Sequence, residues 1–436
     1  MTRSHFPRFQ FVGQPLSGWC ESCWVLCLAL EILAGCSSEN TRAMPDLAAQ
    51  GSEGTAPEVA AKNNPGDWTG RDNRPPSDQP PGGLTKDQVP MFVTIGFDDN
   101  GYSGLEGSLG AGGMKWATDM LRGRQNPDGS PVRVTFNTSS EYIGRWVSES
   151  PTLVKRAWRT AYEDGHELAN HTHSHPHGSK LSVQEWQKEM DTCTSWLTKP
   201  FDLTEPDKAP DDSKGVGVDA GTVVGFRTPF LEYNDATLAA AKNQGFWYDC
   251  SIEDGFQEEQ DGTNYLWPYT LDNGSPGHEV LVEWGLQQPI QAHLGLWEMP
   301  AHPVIVPPDD QCATYGVKPG LRARMQGVQD WFDPKSGKIT GLDYNLFVMF
   351  QMTKAEFLAT MKYTLDLRLK GNRAPFMFGA HSDVYSDQYE DAMTATVRER
   401  QEAMEEFLDY ALSKSEVRTV PMRQILAWVR NPAPRE

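Results

Sequence analysis

Apolar and polar positions change rhythm many times along this chain. Residues 91–97, Met-Phe-Val-Thr-Ile-Gly-Phe, form a short, nearly continuous apolar run that reads as a buried strand. A short helix is predicted over 114–121 and a second strand over 132–136. Residues 151–164 read as helix, with Pro151 opening it and Gly165 closing it. Strand-like runs recur at 166–169, 223–226, 246–249, 280–284 and 375–380. Helical patterns lie between several of them, notably at 182–197, 235–243 and 354–369. Late in the chain, 387–413 reads as helix, 417–420 as strand and 422–429 as helix. Strands alternating with helices predict an α/β fold, layered or barrel-shaped. In such folds, chemistry collects at the carboxyl ends of the strands. Residues 255–341 break the alternation. They are rich in Trp, Pro, Gly and acidic residues, and read as a large irregular insertion of the kind that shapes a groove.

The first part of the chain has another character. Arg3 and Arg8 precede an apolar run at 24–34, too short to span a bilayer and suited to a signal peptide. The run ends Leu33-Ala34-Gly35-Cys36, which resembles the lipobox of bacterial lipoproteins, although Glu31 within it departs from that pattern. Residues 1–35 are therefore expected to be a signal peptide. Cys36 would be the lipidated residue holding the protein to a membrane of the bacterial cell envelope. Residues 36–88, rich in Ala, Pro, Gly and Asp and without apolar periodicity, read as a disordered tether. The folded domain is expected at 89–436. Beyond Cys36, Cys193, Cys250 and Cys312 allow at most one disulfide. A formal charge of -20 argues against nucleic acid as a partner. A neutral substrate and a monomeric protein are expected.

Chemistry gathers in four clusters, each after a predicted strand. The first is Phe97-Asp98-Asp99-Asn100, where adjacent carboxylates leave a buried run and need a partner. The second is the stretch 166–177, which holds five of the chain's ten histidines: His166, His171, His173, His175 and His177. The His171-x-x-x-His175 spacing lets two rings grip one ion. Asp99 would complete an O, N, N set with positions left for water and substrate, as a catalytic metal site requires. His173 and His177 would point elsewhere. The third cluster is Arg227-Thr228-Pro229-Phe230, in which the guanidinium can pair with a carboxylate and the turn can present a backbone N–H. The fourth is Gly379-Ala380-His381-Ser382-Asp383, where His381 near a metal would be a natural general acid. Asp249 is a plausible carboxylate to keep it protonated. Taken singly, each cluster also has an ordinary structural reading: a surface His tract, an acidic turn, a strand-end Arg, a core His.

The ordered set FDD, HTHSH, RTPF, YDCSI and AHSD resembles the polysaccharide deacetylases, carbohydrate esterase family four. Residues 266–271 (LWPYTL), 296–299 (LWEM) and 372–375 (NRAP), with the closing segment 420–432, resemble the arthropod-type chitin deacetylases in particular. The resemblance covers about 91–432 and implies a distorted (β/α) barrel with fewer than eight regular strands. It implies Asp98 as catalytic base and Asp99, His171 and His175 as metal ligands. Arg227 would tune Asp98, the Phe230 N–H would hold an oxyanion, and His381 would be the acid with Asp249 as its partner. The chain departs from the family in Gly96, where Thr is usual, in Asn100, in Phe230 where a Tyr is common, and around His381.

The expected activity is removal of N-acetyl groups from a polysaccharide such as chitin or peptidoglycan. Zinc is the first choice of metal, and cobalt, manganese or nickel suit the same ligands. Two rival readings are a sugar-binding envelope protein without catalysis, and a metal esterase or amidase acting on another acylated substrate. The first rival predicts a missing ligand or base, and none is missing.

Overall fold

The apolar run at 91–97 is a strand, β1 (Met91–Asp98), buried along its whole length in a computed structural model that describes residues 70–208 and 210–435. The signal segment, Cys36 and the tether as far as residue 69 lie outside the described residues. The other strands are β2 (Thr135–Thr138), β3 (Glu167–Asn170), β4 (Gly225–Phe226), β5 (Tyr248–Asp249), β6 (Tyr269–Thr270), β7 (Trp297–Glu298), β8 (Val304–Ile305), β9 (Lys338–Ile339), β10 (Phe376–His381) and β11 (Val417–Thr419). The helices that matter below are α1 (Gly113–Leu121), α2 (Pro151–Glu163), α3 (Val183–Thr198), α4 (Pro276–Glu283), α5 (Lys354–Lys370), α6 (Val397–Leu412) and α7 (Met422–Arg430).

One curled sheet organises them, in the order β10-β1-β2-β3-β4-β5-β7-β6, with β11 added beside the start of β1. All neighbours from β10 to β7 are parallel, and β6 alone runs antiparallel at the edge. The small β8–β9 pair spans the gap: Ala301 bridges to Glu253 beyond β5, and Leu342 bridges to Gly379 in β10. The result is the expected distorted barrel. Its sheet has nine strands, of which only β1, β2, β3, β10 and β11 are longer than two residues, in keeping with fewer than eight regular strands.

Side chains alternate faces along a strand, and that parity sorts the core. Met91, Val93, Ile95 and Phe97 join the outer cluster with α1, α2, α3, α5 and α6. Phe92, Met377, Tyr248, Trp297 and the α7 residues Met422, Ile425 and Leu426 fill the inner cluster. Asp98 and His381 share the inward parity of Phe92 and Met377. The barrel interior is thus apolar below and polar at its carboxyl rim.

Four expectations are corrected. Residues 280–283 belong to helix α4, with Trp284 as its C-cap, and not to a strand, because Pro276 sits in its first turn and the Ser275 hydroxyl accepts from the His278 N–H. Residues 387–413 are helical only from Val397, where Thr396 and Glu399 form a capping box. Residues 255–341 are not simply an irregular insertion, since they supply β6 and β7 to the main sheet. Residues 70–88, read as tether, are packed on the body. The Asp72 carboxylate accepts from Trp297 Nε1 at 2.8 Å and Arg430 Nε at 2.7 Å. Backbone N–H groups of Trp267 and Thr270 donate to the carbonyls of Ser77 and Arg74. The β6 edge needs such a cover, which composition alone does not reveal. Cys193, Cys250 and Cys312 are buried free thiols. No described helix is long and apolar enough to cross a membrane.

Candidate metal and proton-transfer site

Asp98 ends β1 and stands in register with His381, which ends β10. The Asp98 carboxylate accepts from Asn137 Nδ2 at 2.6 Å and from Arg227 Nη1 at 3.1 and 3.2 Å. Arg227 follows β4, and its Nε donates to the Cys250 carbonyl. Two glycines make its slot. Gly96 and Gly379 are register partners on β1 and β10. A Cβ at Gly96 would lie 3.1 Å from both Arg227 Nη1 and Asn137 Nδ2, and one at Gly379 would lie 3.4 Å from the same guanidinium. The Gly96 departure therefore makes room for the buried Arg227–Asp98 pair.

Asp99 turns out of the strand towards two imidazoles. Its Oδ1 lies 3.1 Å from His175 Nε2 and 3.6 Å from His171 Nε2, and one donor atom from each residue falls within 4.8 Å of the others. His171 Nδ1 sits 2.9 Å from the Arg227 carbonyl. Donation there leaves the Nε2 lone pair facing Asp99. Burial pushes His171 down to about 4, so the ring is neutral at neutral pH. Burial alone would raise the Asp99 carboxyl, but His175, His171 and His381 outweigh it and hold the group well below the usual carboxylate range. Asp99 Oδ1 is buried and has no hydrogen-bond partner: its approach to His175 is at ion-pair distance without hydrogen-bond geometry. An orphaned carboxylate oxygen opposite two imidazoles is what a divalent cation would satisfy, and the O, N, N donors suit zinc and its neighbours.

The backbone is unusual here. Six of the eight described non-glycine residues with positive φ lie at this site: Asp99, Asn100, Thr172, His175, Phe230 and Leu231. Such conformations cost on the order of 1–3 kcal/mol each and persist only where surrounding contacts impose them. Asn100 tolerates its position because its Nδ2 donates to the carbonyls of Phe97 and Asn137. Thr172 is held by Asn170, and its hydroxyl accepts from the His175 N–H.

His381 has a different partner from the expected one. Asp343, fully buried, lies 2.7 Å from His381 Nδ1 and accepts the His381 backbone N–H at 2.9 Å. Burial would strip the imidazole of its proton, but Asp343 foremost, with Asp99 and Asp98, more than offsets this and pushes His381 up to about 10. Asp249 cannot fill that role. Tyr248 and Cys250 on either side of it point into the inner cluster, so Asp249 faces the other way, opposite Glu298 in register. There it accepts from the Ser251 hydroxyl and N–H, and burial raises its carboxyl above the ordinary value.

The remaining histidines separate cleanly. His166 is buried and its Nδ1 accepts from the Val134 N–H, a structural role. His173 Nδ1 lies 2.8 Å from the Ser140 hydroxyl. His177 lies flat on Phe230, whose ring also meets the edge of His175. Two groups of this site escaped the sequence reading. Asn137, a buried amide inside β2, could have been found by strand parity. Asp343 had no local signal, because only the Leu342–Gly379 bridge carries it to His381.

Comparison with known proteins bears on this arrangement. Residues 132–207 match the polysaccharide deacetylase family model. Chitin deacetylase 1 of Bombyx mori is 23% identical over 363 residues, an alignment covering 81% of this chain and 53% of that protein. Chitin deacetylase 8 of the same organism is 24% identical over 356 residues, covering 81% of this chain and 74% of that one. The chain therefore spans about half the length of the first of these relatives. A Mycobacterium smegmatis structure described as a candidate polysaccharide deacetylase covers 82% of this chain and 95% of its own, at 16% identity and a TM-score of 0.46.

Proposed function

We propose that this chain, which carries a polysaccharide deacetylase domain across residues 132–207, is a metal-dependent hydrolase that removes N-acetyl groups from N-acetylglucosamine polymers. The observation that supports this reading most directly is the meeting of three strand ends: Asp98 with His381 in register, beside the Asp99, His171 and His175 donors. Those three side chains would hold the cation. When bound, it would supply Lewis acidity and a more acidic water.

The chain's own residues handle the protons. Asp98, which Arg227 and Asn137 hold, would take a proton at its carboxylate as water attacks the acetamide carbon. The Phe230 N–H is the candidate donor to the developing oxyanion. His381 carries a proton because Asp343 holds it there, and it delivers that proton to the departing amine nitrogen. The products are acetate and a free amino sugar. Chitin-like chains are favoured by the Bombyx mori relatives. If Cys36 is lipidated as its surrounding sequence suggests, an envelope polymer such as peptidoglycan is the alternative substrate.

The test is acetate release from chitin oligomers, peptidoglycan and acetylated xylan, with and without a chelator. Release from the N-acetylated polymers that stops on chelation and returns with zinc is the expected result. Asp98→Asn should lose at least about 100-fold in kcat while keeping its metal content. Acetate from xylan alone would point to an esterase and reject this reading.

A further inference from the structure

We propose that His177, fastened by Glu232, is a positioning residue that holds Phe230 in its left-handed conformation and so aims the Phe230 N–H at the reacting carbonyl. The inference rests on the deacetylase reading and adds a role for a histidine that the metal and the proton steps do not use.

Phe230 and Leu231 are consecutive non-glycine residues with φ of 57° and 54°. Glycine or asparagine takes up such a backbone readily, whereas phenylalanine does so only when its surroundings impose it. Phe230 as a residue is 46% exposed, so the core does not hold it. Two imidazoles do. The His175 ring meets it at 4.6 Å and 69°, and the His177 ring lies parallel to it at 4.2 Å and 9°.

His177 itself is 72% exposed and would rotate freely without an anchor. Its Nδ1 lies 3.1 Å from Glu232 Oε1. Glu232 belongs to the same turn as Phe230, and its N–H donates to the Pro229 carbonyl. The contacts therefore close a circuit from ring to ring to carboxylate and back to the backbone two residues on. A solvated His–Glu pair would not need the flat stack, and a surface Phe would not need the strained turn. Together they make a clamp on the one backbone N–H that the proposed reaction requires.

The test uses the full chain, metal-loaded, with His177→Ala, His177→Phe and Glu232→Gln. Hydrogen exchange across residues 228–233 reads the clamp independently of turnover. Faster exchange in His177→Ala is expected, with kcat down about 10-fold, part of what losing an oxyanion donor costs, and KM little changed. His177→Phe keeps the stack and should recover most of both, with Glu232→Gln intermediate. Unchanged exchange in His177→Ala, or a Phe variant as impaired as the Ala variant, overturns the proposal. Should the wild type release no acetate from any polymer, exchange alone still decides whether the clamp exists, and only the catalytic reading falls.

Discussion

At the scale of single residues, the site divides into groups that hold protons and groups that make them do so. Asp343 is of the second kind. With its charge removed in Asp343→Asn, His381 loses what holds it near 10 and returns towards the ordinary imidazole range. In the proposed reaction His381 is the general acid, which works only while protonated, so the alkaline limb of the kcat profile should move to lower pH. The rate at neutral pH should fall by about 10-fold or more. An alkaline limb that stays in place would show that another group donates the proton. Gly96 tests the slot. In Gly96→Thr the new Cβ would stand 2.8 Å from Met422 Cε and 3.1 Å from Arg227 Nη1. Overpacking of this kind costs about 1–3 kcal/mol. A lower denaturation midpoint and a weaker kcat are expected, with metal content unchanged by elemental analysis. The structure brings together Asp98, Asp99, His171, His175, Arg227 and His381, which the sequence singled out because the Asp pair, Arg227 and His381 follow apolar runs and histidines crowd 166–177. The Asp249 assignment failed because a carboxylate at the end of a predicted strand does not reveal which face of a two-residue strand its side chain takes.

Among the elements, the long periodic helices and the strongly apolar β1 and β10 could be read directly. So could the short β4 and β5 inside the runs 223–226 and 246–249, whereas the two-residue strands β6 to β9 could not. Four or more alternating residues are needed before a period shows, so β6 and β7 hid inside a stretch of Trp, Pro and Gly. Residues 280–284 misled for the opposite reason: Val and Trp favour strands, but a cap upstream outweighed them. Ser275 is that cap, and its hydroxyl also pairs with Tyr269 at 2.7 Å, tying α4 to β6. Ser275→Ala should therefore cost about 1–2 kcal/mol, the loss of an N-cap together with a buried hydroxyl partner. Urea denaturation would check this, and an unchanged midpoint would mean that packing alone holds the helix.

For the molecule as a whole, residues 70–88 are the least expected part. They shield the open edge at β6 and fasten it to α7 through Asp72 and Arg430. A chain begun at Val89 should melt at a lower temperature and self-associate, as light scattering would report, because a bare strand edge invites pairing. Equal melting and a monodisperse profile would reduce the segment to decoration. A different consequence follows from the pairing of Asp98 with His381. The proposed proton acceptor and proton donor face each other across two paired strands of one hydrogen-bonded ladder, so their spacing is set by backbone geometry and hardly by the loops above. On that proposal the loops could be exchanged to suit another substrate while the distance between Asp98 and His381 stays constant, which makes this rim a natural place to graft new selectivity.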